Sequence, residues 1–165
     1  MESQIVIKPS FDANSVFKAT LLVYKNSRLV IYLIVFFIIM LISASANASY
    51  DEYFWVPLAT IYPLVVLLFV YRIYATSKKQ ITDNPRLQED ISHVFTVDYF
   101  QEKGESFDIK YFWKDIVKLE EKNDLFLIYI KKNQAKFIKK SDLKNNQYNE
   151  LKALFNSLNI KKSLK

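Results

Sequence analysis

The sequence predicts an α+β membrane protein: a two-helix transmembrane hairpin, then an antiparallel β-sheet or barrel closed by a C-terminal helix. Three observations predict it. Residues 29–46 and 53–71 contain no Asp, Glu, Lys, Arg or His. From residue 91 the chain changes to short runs rich in β-branched and aromatic residues, broken by polar turns. Near the end, Tyr148, Leu151, Leu154, Phe155 and Leu158 recur at helical spacing and form one apolar stripe.

The two apolar runs are read as spans because of their length and their uniformity. At ~1.5 Å per residue the first covers roughly 27 Å, close to the ~30 Å hydrocarbon layer of a bilayer. Both are apolar around the whole helical circumference, and a soluble domain within 165 residues has too little surface to cover them. Ala44-Ser45-Ala46 resembles a signal-cleavage site, but 28 residues precede the run and a second run follows at once, so the first is expected to stay uncleaved.

Charge sets the expected orientation. Lys18, Lys25 and Arg28 precede the first span, Arg72, Lys78 and Lys79 follow the second, and the loop over 47–52 carries Asp51 and Glu52 with no Lys or Arg. The excess of Lys and Arg on one side places both termini in the cytoplasm. Tyr50, Tyr53 and Trp55 suit an outer aromatic belt, and Tyr71 and Tyr74 an inner one. Pro57 suits the first turn of the second helix, and Pro63 is expected to bend it. With no charge inside either span, the proton relays and ion sites of many pumps are excluded, and two helices do not enclose a pore without oligomerising.

Composition narrows the chemistry further. The chain has no cysteine, which excludes disulfides, thiol nucleophiles, iron–sulfur clusters and the usual structural zinc sites. Its single glycine, Gly104, excludes glycine-rich phosphate loops. Lysine far outnumbers arginine, present only as Arg28, Arg72 and Arg86, and with many Asn and Ile this bias reads as the mark of an AT-rich bacterial genome. No cofactor is expected.

The chain thus divides into an N-terminal strand and helical lead-in (1–28), a membrane segment (29–74) and a cytoplasmic domain (80–165). Residues 4–8 have the β-branched content of a strand, and an isolated strand needs a sheet to join. The only sheet available lies beyond residue 90, so residues 4–8 are expected at its edge. There, 91–100 reads as one strand and Gln101–Glu105 as a turn in which Gly104 takes a positive φ; Phe107, Ile109 and Tyr111 then alternate with charge. Further strands are expected over 116–121, 125–131 and 135–139. Asn145 or Asn146 is expected to cap the final helix and Asn159 to stop it in a left-handed conformation.

The run from His93-Val94-Phe95-Thr96 through Phe112-Trp113-Lys114-Asp115-Ile116 to Leu125-Phe126-Leu127-Ile128-Tyr129-Ile130 resembles the C-terminal domain of the YcxB-like bacterial membrane proteins. The order of strand, two spans, sheet and C-terminal helix matches over nearly the whole chain. The resemblance implies a pleckstrin-homology-like (PH-like) fold and no enzymatic activity. One departure stands out: such domains often carry an Ile-Pro-Lys-Arg-like step after the last strand, and Phe137-Ile138-Lys139-Lys140-Ser141 lacks the proline.

Individual residues point to binding rather than catalysis. His93, alone of its type, reads as a partly buried structural residue. Glu89-Asp90 and Glu120-Glu121 are adjacent pairs, which on a strand point to opposite faces and read as solvated charges. Trp113 reads as a core anchor at a bend. Between Lys131 and Lys144 there are six lysines and one acid, Asp142. Lys131, Lys132, Lys136, Lys139 and Lys140 are the candidate contacts to anionic lipid head groups or a protein partner; the competing reading is a solubilising face. No groove-reading motif suggests nucleic acid. The expectation is a membrane-anchored, non-catalytic binding or scaffolding module of the bacterial cytoplasmic membrane. The alternative is a subunit or regulator of a membrane transport or envelope-stress complex that acts through its helices.

Overall fold

The computed structural model describes residues 4–25, 28–46 and 52–164. The chain is mixed α+β. A short strand β1 (Ile5–Ile7) leads into α1 (Ala13–Lys25), α2 (Arg28–Ala46) and the long α3 (Glu52–Asp83). After a 3₁₀ turn at Pro85–Gln88 come β2 (Ser92–Phe95), β3 (Tyr99–Lys103), β4 (Asp108–Phe112), β5 (Lys118–Lys122), β6 (Leu125–Lys131) and β7 (Gln134–Lys139). The helix α4 (Gln147–Ser157) and a two-residue strand β8 (Lys162–Ser163) complete the order. Of the expected outer loop over 47–52, residues 47–51, with Tyr50 and Asp51, lie outside the described residues, and Glu52 begins α3.

The strands form two four-stranded sheets, β1-β2-β3-β4 and β7-β6-β5-β8. Every pairing is antiparallel except β5 with β8, which is parallel. β1 lies at the edge of the first sheet with Ile5 opposite Phe95 and Ile7 opposite His93. Strands from before and after the three long helices in sequence therefore build one sheet. Ion pairing and hydrogen bonding reinforce the closure: Lys8 meets Asp90 at 2.8 Å, Ser10 N–H donates to Asp142, and the Gln147 amide donates to the Val6 carbonyl.

The main core lies between the inner faces of the sheets and under α4. Phe155 of α4 touches rings from both sheets, at 6.2 Å from Phe95 and 5.6 Å from Phe126. Trp113 is buried at the bend after β4, and its indole N–H donates to the Thr96 carbonyl at 2.9 Å, so the ring is fixed at both ends. A second cluster packs α1 against the outer face of the second sheet, with Ala19, Leu22 and Val23 on Leu125, Leu127, Tyr129 and Phe137.

Asp12 starts α1. Its carboxylate accepts from the Ser15 backbone N–H at 2.9 Å and from the Ser15 hydroxyl, and it also meets Lys139 at 2.9 Å. The Ser15 hydroxyl and then the Lys139 ammonium hold it well below the usual carboxylate range. Replacing Asp12 by Ala is expected to cost about 1 kcal/mol at neutral pH, the ordinary loss of a helix cap at an exposed site. A depressed carboxylate stabilises the fold above its unfolded-state pKa and loses that contribution as pH falls. The difference between wild type and Asp12→Ala in chemical denaturation should therefore shrink below about pH 4.

Several local expectations are corrected. The run 91–100 is not one strand. The Thr96 hydroxyl accepts from the backbone N–H of Asp98 and Tyr99, closing a turn between β2 and β3. Gln101-Glu102-Lys103 is accordingly strand, not turn. Gly104 does not take a positive φ. It is needed for space, since a Cβ there would sit 2.5 Å from the Phe107 ring and 2.6 Å from Glu89 Oε2. Asn159 is not left-handed either: Leu158 turns the chain out in extended conformation, and among the described residues the left-handed asparagines are Asn123 and Asn145. Asn146 occupies the start of α4, but its side chain accepts from Asn149 and makes no bond to the helix backbone.

Among the described residues, one helical stretch, Ile61–Asp83, is long and apolar enough to cross a membrane. Ala13–Lys25 and Val30–Ile39 pass the same test only together, as a bent pair. α3 continues through Pro63 as one helix, stacking Tyr62 on Phe37 of α2 at 4.5 Å and packing Tyr74 edge-on to Phe17 of α1.

Candidate functional site

Where α1, the end of α3 and the two sheets converge, the structure leaves a cavity of about 410 Å³. Helical spacing sets one wall: Val16, Ala19, Thr20, Val23 and Tyr24 recur at three- and four-residue steps along a single face of α1. Strand alternation sets the floor. His93 stands on β2 two residues before the core residue Phe95, and Glu102 on β3 two residues after Phe100, so both point inward. Lys136 reaches in from β7, two residues before the buried Ile138. Tyr24, Gln80, Arg86, Asn133 and Gln134 are exposed and form the mouth.

The floor is a polar cluster. Lys136 Nζ donates to Glu102 Oε2 at 2.6 Å, and the Tyr111 hydroxyl donates to the same oxygen at 3.3 Å. Burial alone would raise the Glu102 pKa, but the neighbouring His93 ring and the Lys136 ammonium outweigh it and keep the carboxylate below its usual range. Burial opposes the charge on Lys136 too, and Glu102 overcomes it, raising the ammonium above its ordinary value. Tyr111 is pushed up by burial and by Glu102.

His93 is 1% exposed. Its Nε2 lies 3.5 Å from Glu102 Oε1, beyond good hydrogen-bond length, and neither ring nitrogen has a hydrogen-bond partner. The ring is wedged edge-on between Phe11 and Phe100, at 6.2 and 5.2 Å. A buried imidazole with both nitrogens unsatisfied is costly, on the order of 1–3 kcal/mol, which makes it the distinctive group in this cavity.

The five candidate lysines do not form one patch. Lys136 pairs with Glu102, Lys139 with Asp12, and Lys140 with Glu121 at 2.6 Å. Lys131 and Lys132 are exposed where β6 turns into β7. The acidic pair Glu120-Glu121 is buried, not solvated. Glu120 faces outward to Lys118, Lys122 and the Tyr129 hydroxyl, while Glu121 faces α4, where Tyr148 and Lys152 reach it. Opposite strand faces separate the two, as their adjacency requires. Glu89 and Asp90 are likewise engaged apart, with Ser106 and Lys8.

Against this geometry, the sequence family described as YcxB-like protein matches residues 95–155. This segment is YcxB-like. It runs from the last residue of β2 to the buried Phe155 of α4, and so holds most of the two sheets together with Glu102, Tyr111 and Lys136. His93 and the α1 wall of the cavity lie outside the YcxB-like segment. No curated protein and no solved structure matches the chain.

Glu102 is not legible as a site residue in the sequence, where Gln101–Glu105 has the composition of a turn. Its period-two relation to Phe100 was the available signal. Lys136 was singled out for lipid contact, and its inward direction depends on the pairing of β7 with β6.

Proposed function

We propose that the chain is a membrane-anchored, non-catalytic binding or scaffolding module of the bacterial cytoplasmic membrane. In this reading α2 and the apolar part of α3 cross the bilayer as a hairpin, and the two sheets with α4 form a PH-like cytoplasmic domain. The observation that carries it is the exposed apolar surface of the helices. Ile31, Ile34, Val35, Phe36, Ile38 and Ile39 on α2, and Ile61 and Leu64 to Tyr71 on α3, are exposed in the folded chain. A soluble protein rarely leaves such a surface uncovered, whereas a bilayer covers it. Lys and Arg at the domain ends of the helices favour both termini in the cytoplasm.

The binding half of the proposal draws on the cavity. The cavity joins an apolar wall to a few convergent polar groups, with Glu102 held in an ion pair by Lys136, and that combination supports holding a molecule. Lys131 and Lys132 are exposed at the end of β6, immediately before the cavity-lining Asn133 and Gln134. That position suits contact with anionic head groups, and it narrows the lipid-contact set to these two lysines.

The exposed helix surface also favours a second reading, a subunit or regulator of a membrane complex working through its helices. Photo-crosslinking in intact cells separates the two. A crosslinking residue at Gln134, beside the cavity mouth, is expected to capture a ligand or partner, and one at Phe36 to capture lipid. Protein adducts from Phe36 with none from Gln134 would overturn the module reading in favour of the second.

A further inference from the structure

The charge and shape of the cavity narrow what it takes. Its floor is already neutral, because Glu102 and Lys136 balance each other at 2.6 Å. A charged head group at the floor would bring an uncompensated charge beside Phe11, Val16, Ala19 and Phe137, with Arg86 set apart at the exposed mouth, and burial strongly disfavours such a charge. What the floor offers is hydrogen bonding. The His93 ring nitrogens make no hydrogen bond, with Glu102 the nearest polar group at 3.5 Å from Nε2, and the Lys136 ammonium has three donors, of which Glu102 takes one and Tyr111 lies against another. A hydroxyl or carboxamide answers both groups at once, donating to an imidazole nitrogen and accepting from Lys136.

The wall above the floor is apolar and directional. Val16, Ala19 and Val23 run up α1 from the sheets towards Tyr24 and Lys25, where α1 gives way to α2. An aliphatic chain laid along this face passes from the polar floor to the end of the cavity nearest the bilayer. We infer that the cavity binds an uncharged single-chain lipid drawn from the membrane, its hydroxyl or carboxamide head on His93 and Lys136 and its tail along α1. This rests on the binding reading of the cavity and assigns the class of ligand. The 410 Å³ is within the range of small-ligand sites, which are mostly apolar with a few convergent polar groups.

His93 is the only histidine, so its ring nitrogens give an unambiguous NMR signal from the whole chain. With the full chain in lipid nanodiscs, octanol and octanamide are expected to shift the His93 ring resonances saturably. Octane and octanoate should bind at least about tenfold more weakly, octane because it leaves the imidazole unsatisfied and octanoate because its charge is buried without a counter-ion. By calorimetry, His93→Phe, which keeps an aromatic ring between Phe11 and Phe100, should remove the preference for octanol over octane. Saturable binding of octanoate as tight as that of octanol would overturn the uncharged-head assignment and leave the cavity a binding site. Shifts that grow linearly with every additive, as bilayer partitioning alone gives, would overturn both. An unchanged octanol preference in His93→Phe would remove His93 from the site.

Discussion

Deleting residues 1–9 is expected to unfold the first sheet, not merely to shorten the chain. Ile5 and Ile7 are 8% and 1% exposed and belong to the main core beside Phe95 and Phe100. Truncating one such isoleucine to alanine costs about 2–5 kcal/mol, and the deletion removes both. It also strips the hydrogen-bonding partner from the free side of β2, where Ile5, Val6 and Ile7 face Phe95, Val94 and His93. Against a typical total stability of about 5–15 kcal/mol this is a large fraction. Hydrogen exchange on the full chain in nanodiscs should show protected amides at Ile5–Ile7, and the deletion should release those of Ser92–Phe95 and loosen α4 through the lost Gln147–Val6 bond. Unchanged protection of β2 would mean that the N-terminal strand adds nothing to the domain.

That strand illustrates what the sequence makes legible. Residues 4–8 declare themselves by β-branched content and by the need of any strand for a partner, and β1 does lie at a sheet edge. The strand over 125–131 and the stripe from Tyr148 to Leu158 follow equally from local pattern. Local pattern failed where one side chain closed a turn on its own. Thr96 is β-branched and reads as strand, yet its hydroxyl gathers two backbone N–H groups and reverses the chain. A strand read through Thr96 leaves Glu102 in a turn, away from the site. β8 was equally hidden, because two residues carry no period and their parallel pairing with β5 depends on where α4 delivers the chain.

The candidate site was legible only in pieces. His93 is visible as the lone histidine, but its nearly complete burial and unsatisfied nitrogens depend on Phe11 from before α1 and on Phe100 and Glu102 from β3. The lysine run between 131 and 144 reads as one basic patch in sequence. Strand alternation sends Lys136 inward and Lys139 towards Asp12, and pairing with Glu121 engages Lys140. Charge density along a chain does not reveal which faces the charges occupy.

In the proposed reading the chain crosses the membrane twice, with the domain on the inner side, and single cysteines test this directly because the sequence has none. Ser163 lies on β8 with its side chain exposed, so its labelling reports which side of the membrane it faces rather than burial. Ser49 falls in the expected outer loop. In intact cells an impermeant thiol reagent should label Ser49→Cys and spare Ser163→Cys, and permeabilising the cells should make Ser163→Cys label fully. Labelling of Ser163→Cys before permeabilisation, or release of the chain from membranes as a soluble protein, would contradict the account.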